Sequence, residues 1–152
     1  MSEKVRVYID TSVISALFDD RNPERRDITS DFFSSAADFD VIVSDITLNE
    51  IDDTPAPALR DRMHEFVSPF PVLPMDANAE RLAKEYIRHG AVPNSNPEDA
   101  YHIAIAVLNS INYLLSWNFK HIVRLKTREI VKTVNNLNKM PQITILTPGE
   151  MI

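Results

Sequence analysis

The sequence predicts an α/β fold, a three-layer α/β/α sandwich around a mostly parallel sheet of about five strands. Three observations predict it. Short β-rich runs recur along the chain, helical spacing follows each, and no repeat, low-complexity tract or linker breaks the alternation. Strands joined through helices are parallel and covered on both faces. With 152 residues, 44% apolar and 25% charged, the chain suits one domain over 1–152 with a real core.

Val5-Arg6-Val7-Tyr8-Ile9 is a β-rich run ending at Asp10, and Ser12 to Phe18 reads as a short helix. Asn22-Pro23 supplies a cap and first-turn proline for a helix through Phe32, Phe33 and Ala36. Val41-Ile42-Val43 is a second buried strand, followed by a helix through Leu48 and Ile51. From Pro55 to Phe66, Leu59, Met63 and Phe66 share a helical face, and Val72-Leu73 between prolines allows only a short third strand. Asp76 caps a helix carrying Leu82, Tyr86 and Ile87, with Gly90 where a helix C-terminus favours glycine. Asn96-Pro97-Glu98-Asp99 opens a helix through Ile103, Ala104, Val107 and Leu108 that is apolar on nearly every side, as a helix buried against a sheet would be. Tyr113-Leu114-Leu115-Ser116 is a fourth strand, a helix runs from Arg128 to about Lys139, and Ile143-Thr144-Ile145-Leu146 is a fifth strand.

Scarcity narrows the chemistry. Gly90 and Gly149 are the only glycines, so neither a dinucleotide-binding loop nor a Walker phosphate loop can be written. The absence of cysteine removes thiol nucleophiles, iron–sulfur clusters and cysteine zinc sites, and His64, His89, His102 and His121 are too dispersed for a histidine-ligand motif. His64-Glu65 opens a zincin-like match that Ser68 ends. Carboxylates remain plentiful, and oxygen ligands suit hard ions such as magnesium and manganese. The opening MSEKVRVYID holds no apolar signal region, and no apolar stretch approaches a bilayer span, so the expected location is the cytoplasm.

Ligand sites in open parallel sheets gather beyond the carboxyl ends of strands. Asp10 follows the first strand, Glu50 lies on the helix after the second, Asp99 opens the helix before the fourth, and Asn118 follows the fourth. Each has a plainer reading: Asp10 as a helix N-cap, Glu50 as a solvated helix residue, Asp99 as an acid in the turn after an Asn96 cap. His102, one turn from Asp99, reads as a hydrogen-bonded core histidine without a catalytic role. Three carboxylates converging at about 5 Å would repel by roughly 3 kcal/mol per pair at an effective dielectric near 20, and a divalent cation supplies the counter-charge.

Taken together, the segments YIDTSVIS, SDITLNEID, PEDAYHIAIAV and LLSWNFKHI resemble the signature segments of PIN-domain ribonucleases, especially the VapC-like toxins of bacteria and archaea. The resemblance implies a PIN-like fold and a ribonuclease dependent on Mg²⁺ or Mn²⁺. It aligns Asp10, Glu50 and Asp99 with the family's metal-binding acids, and Ser12 and Ser116 with hydroxyl positions that support the site. Asn118 falls where the family usually has aspartate. The departure puts a second metal in doubt more than the first, and it favours an alternative in which the fold binds RNA or protein with weakened catalysis. The implied partners are RNA, an antitoxin protein and a second copy of the chain. An aspartyl-phosphate phosphatase also begins with an acid after a strand, but it needs another aspartate where Ser12 stands.

The net charge of −6 is unevenly divided. Between Lys120 and Lys139 six basic residues face one acid, a local balance of +5 that leaves −11 for the remainder. Lys120, Arg124, Lys126 and Arg128, with Lys132 and Lys139, are candidates for phosphate contacts, a solvated helix face being the equal alternative. For Trp117 and Phe119 core packing is expected ahead of base stacking.

Overall fold

The computed structural model describes residues 4–152; Met1–Glu3, on which part of the leader reading falls, lie outside the described residues. Strand β1 (Val5–Ile9) leads into α1 (Thr11–Ala16) and α2 (Pro23–Ser34). Next come β2 (Phe39–Ser44), α3 (Asp45–Asp52), α4 (Pro57–Val67), β3 (Val72–Leu73) and α5 (Ala77–Arg88). The chain continues through α6 (Pro97–Leu108), β4 (Tyr113–Leu115), α7 (Leu125–Leu137) and β5 (Thr144–Leu146). The five strands form one sheet in the order β3-β2-β1-β4-β5, and every neighbouring pair is parallel.

Alternation along the strands divides the core in two. Val7, Ile9, Val41, Val43 and Leu115 pack with Val13 and Ile14 of α1, Phe32 of α2, and Met63 and Val67 of α4. Tyr8, Ile42, Leu114 and Ile145 face the opposite way, onto Leu82 and Tyr86 of α5, Ile103 of α6, and Val131 and Val134 of α7. Three layers result. Helix α6 carries the heaviest burial, with Ala100 and every residue from His102 to Val107 enclosed. Ile103→Val, which deletes one methyl group there, is expected to cost about 1 kcal/mol in a denaturation midpoint measurement, whereas a surface position would move by less than half of that.

Caps and breaks fall mostly where the residue types place them. Asn22 Oδ1 accepts from the Arg25 amide at 3.3 Å, and Asp76 Oδ1 accepts from the Ala79 amide at 2.9 Å. Gly90, at φ +85°, completes a Schellman turn in which the Gly90 and Ala91 amides donate to the Ile87 and Tyr86 carbonyls. Asn96 departs from expectation, because its side chain makes no capping bond to α6. Strand β4 ends at Leu115, so Ser116 stands just beyond the strand, as Asp10 does beyond β1. Helix α7 begins at Leu125 rather than Arg128, because buried Thr127 anchors its first turn: Thr127 Oγ1 lies 2.6 Å from the His121 carbonyl and 2.8 Å from that of Ala91.

Candidate active site

The carboxyl ends of β1 and β4, side by side at the middle of the sheet, bring Asp10 and Ser116 together. Asp10 is only 3% exposed. Its carboxylate accepts from Ser12 Oγ and from Ser116 Oγ, each at 2.5 Å, and from the Val13 amide at 3.3 Å. It therefore caps α1 while sitting at the edge of the sheet; the two readings of Asp10 are compatible. Ser12 Oγ in turn accepts from the Trp117 amide at 2.8 Å, and Ser116 Oγ accepts from the Asn118 amide at 2.9 Å. The loop after β4 is thus fastened to the acid after β1.

Glu50 reaches the same region from α3. Its Oε1 accepts from Thr11 Oγ1 at 2.9 Å and from His102 Nε2 at 2.5 Å. Asp99, in the first turn of α6, accepts from Asn118 Nδ2 at 3.3 Å and from His121 Nδ1 at 2.9 Å. Asn118 Oδ1 accepts from the His121 amide at 2.9 Å, which fixes the side-chain amide beside Asp99. Hydrogen bonds, with two short stretches of backbone, link these residues into a ring. From Asp10 it passes by Thr11 to Glu50, by His102 along α6 to Asp99, and by Asn118 and Ser116 back to Asp10.

Electrostatics follow from that circuit. Burial pushes the Asp10 carboxyl above the usual aspartate value, against the pull of His102 and of the hydrogen bonds from Ser116 and Ser12. Burial raises Asp99 likewise, with His121 drawing it the other way. Burial acts on Glu50 too, but the hydrogen bond and charge of His102, with Thr11, outweigh it and hold Glu50 below the glutamate value. Burial disfavours charge on His102, yet Tyr8, Glu50 and Asp10 around it raise its imidazole well above the ordinary histidine range. Helix α6 thus supplies Glu50 with a hydrogen-bond donor from within the chain.

A raised carboxyl costs stability once it ionises. Below the ordinary aspartate value of 3.8 Asp10 is protonated in both folded and unfolded states and the cost vanishes. Above that value the unfolded chain ionises more readily, and the cost grows until the folded carboxyl also ionises. Metal-free Asp10→Asn is therefore expected to gain stability relative to the native sequence as pH rises from about 4 toward neutrality. A stability difference that stays level across that range, in thermal melts of both proteins, would show that Asp10 ionises freely.

The donor set fits a hard divalent ion. Asp10 and Asp99 are carboxylates with raised proton affinity at one sheet edge, and a cation would relieve the cost of ionising them. Among the described residues no three acidic or imidazole side chains converge at ligand distance, because each carboxylate is turned to its own donors. An incoming ion would compete with those hydrogen bonds.

Several participants lay outside the sequence reading. Sequence patterns give no signal for Thr11, Tyr8, Ser44 or His121, and for His102 they indicate a core role alone. The one available signal was the three-residue spacing from Asp99 to His102, which puts both on one helical face. Phe119 corrects the expectation of core packing: it is 50% exposed. Trp117 is half-buried, with Nε1 donating to Thr29 Oγ1 at 2.9 Å, and the Arg25 guanidinium lies 5.0 Å from the Trp117 ring and 5.6 Å from that of Phe119. In the basic set Lys120, Lys126 and Arg128 are exposed, whereas Arg124 donates to Thr127 Oγ1 and to the Ala91 carbonyl.

A five-stranded parallel sheet covered by helices on both faces, with hydrogen-bonded acids at its central carboxyl edge, defines an α/β protein of the three-layer class. Residues 7–120 match the PIN domain model, and the chain belongs to the PIN-domain family. Its fold is VapC-like. It is similar to the crystal structure of Mycobacterium tuberculosis VapC20, a sarcin-ricin loop cleaving toxin, with a TM-score of 0.62 and 19% identity over 76% of this chain and 92% of that one. It is also similar to the VapBC2 structure from Rickettsia felis bound to a DNA fragment from their promoter, with a TM-score of 0.58 and 12% identity over 93% of this chain and 97% of that one. No curated protein matches it in sequence. No helix among the described residues is long and apolar enough to cross a membrane.

Proposed function

We propose that residues 1–152 act as one domain, a divalent-metal-dependent endoribonuclease that hydrolyses RNA phosphodiesters and serves as the toxin of a toxin–antitoxin pair. The observation that carries this reading is the closed circuit drawing Asp10, Glu50, Asp99 and Asn118 from four separated segments to one edge of the sheet. Family membership supports it, as does the likeness to an RNA-cleaving toxin and to a toxin–antitoxin complex. An antitoxin protein, a homodimer and the cytoplasm are the corresponding partner, assembly and place of action.

Asp10, Glu50 and Asp99 would hold Mg²⁺ or Mn²⁺, directly or through water. When bound, such an ion activates water and stabilises charge on the phosphorus. The chain's own residues do the rest. Ser12 and Ser116 aim the Asp10 carboxylate, Thr11 and His102 aim Glu50, and Asn118 holds Asp99. A carboxylate of the set would accept the proton released by the attacking water. Lys120, Lys126 and Arg128 would contact phosphates. Lys126 and Arg128 stand in the first turn of α7, where the helix dipole disfavours cations and a polyanion would offset that cost. Arg124, already bonded within the fold, would contribute mainly long-range charge.

The direct test is cleavage of RNA by the purified protein with and without manganese, beside Asp10→Asn. One observation favours a second reading, a PIN-like binding module with weakened catalysis: Asn118 stands where an acid is usual. Metal-dependent cleavage by pure protein would eliminate it.

Asn118 also makes a prediction of its own. With an amide there, three acids suffice for one ion and fall short of what two neighbouring ions prefer. Asn118→Asp is expected to tighten divalent binding. It also replaces the amide donor to Asp99 by a like charge, so the metal-free variant should melt lower. Titration calorimetry with manganese showing two tight sites in the native protein, or no tightening in the variant, would remove Asn118 from the metal centre.

A further inference from the structure

Behind the acidic circuit a second line of polar side chains crosses the interior. Ser44, at the end of β2, caps α3 by accepting from the Ile46 amide at 3.2 Å, and its Oγ lies 2.7 Å from Tyr8 Oη. Tyr8 Oη lies 2.5 Å from His102 Nδ1, and His102 Nε2 donates to Glu50 Oε1 at 2.5 Å. Tyr8 and Ser44 are fully enclosed and His102 is 2% exposed, whereas the Glu50 side chain is about one-third exposed. Glu50 lines a cleft of about 480 Å³ with Asn49, Asp53, Glu98 and Tyr101. The line thus starts in the core and ends at the cleft.

We propose that His102 is a positioning residue that orients the Glu50 carboxylate for the site, with Tyr8 and Ser44 fixing the ring that does so. This rests on the functional reading above and deepens it. A histidine retained only for packing needs its nitrogens satisfied by any nearby group. Here both nitrogens are committed, Nδ1 to a hydroxyl that is itself held and Nε2 to the one acid of the circuit that reaches the cleft. The donor to Glu50 is Nε2–H whether or not Nδ1 carries a proton, so the arrangement does not depend on the charge of the ring. Glu50 Oε1 receives two donors, Thr11 and His102, while Oε2 accepts none among the described residues. The carboxylate is held by one oxygen and offers the other. Partners behind a ligand that set its orientation commonly change metal affinity or activity 10- to 100-fold when removed.

The experiment reads Mn²⁺ affinity by titration calorimetry, with folding matched by circular dichroism, and needs no substrate. His102→Leu is expected to weaken binding by about 10-fold or more. His102→Gln, whose amide nitrogen can take the place of Nε2, should recover most of the loss, a rescue that packing volume does not predict. Tyr8→Phe and Ser44→Ala, milder changes that leave the ring in place, should each lie between, and they carry the test if His102→Leu fails to fold. Native affinity in folded His102→Leu or in Tyr8→Phe would overturn the proposal. A metal-free measurement separates it from the metal reading: proton NMR should show a downfield, slowly exchanging His102 Nε2 proton that Glu50→Ala removes. That signal with no manganese binding in the native protein would sink the metal reading and keep the His102–Glu50 link; its absence would overturn the link itself.

Discussion

Asp10→Asn is expected to remove metal-dependent RNA cleavage by about three orders of magnitude or more while the protein stays folded. The size follows from what one carboxylate supplies: metal-ion stabilisation of phosphoryl transfer is worth several kcal/mol, and about 4 kcal/mol off a barrier is roughly a thousandfold in rate. The expectation that the fold survives is equally specific. An asparagine at position 10 keeps one acceptor oxygen for Ser12 or Ser116 and can still cap α1, and it sheds a carboxylate that burial makes costly to ionise. Asp99→Asn should behave in the same way. Full cleavage by either variant, at matched circular dichroism, would take these acids out of the chemistry.

Manganese should also stabilise the protein. At a hundred times its dissociation constant an ion bound only by the folded state adds about 2.7 kcal/mol through mass action. For a domain of this size that corresponds to a rise of roughly 5–10 °C in melting temperature. Asp10→Asn should lose most of the rise, so the native protein and the variant ought to separate as manganese is added although the variant melts no lower without metal. A melting temperature indifferent to manganese, with binding shown absent by calorimetry, would count against any metal enzyme.

Local pattern carried the fold further than it carried the site. The alternation of β-rich runs with helical spacing is set by which faces must be buried, and the sheet, its parallel strands and the enclosed α6 follow from it. The end of β4 and the start of α7 were missed by one and three residues because tertiary bonds decide them: Ser116 turns to Asp10, and Thr127 to two carbonyls far from its own turn. The acids could be named because their segments resemble a family's. The groups that hold them could not, since a buried hydroxyl such as that of Tyr8 looks in sequence like any strand aromatic. Within the chain, His102 gives Glu50 a donor that the sequence pattern does not reveal. Phe119 escaped for the opposite reason: an apolar residue beside a tryptophan reads as core, and only the packed structure shows its ring open to solvent under Arg25.

The bond from Ser116 to Asp10 joins residues 106 positions apart, and that separation puts the site under the control of the ribosome's pace. At about 5–20 residues per second, on the order of ten seconds pass between the synthesis of the first acid and that of the serine that orients it. During that interval β1 has no β4 beside it, Asp10 lacks the Ser116 hydroxyl that orients it, and Asn118 does not yet exist to hold Asp99. The ring of side chains is completed in a late step, when β4 docks against β1 and Ser116 reaches Asp10.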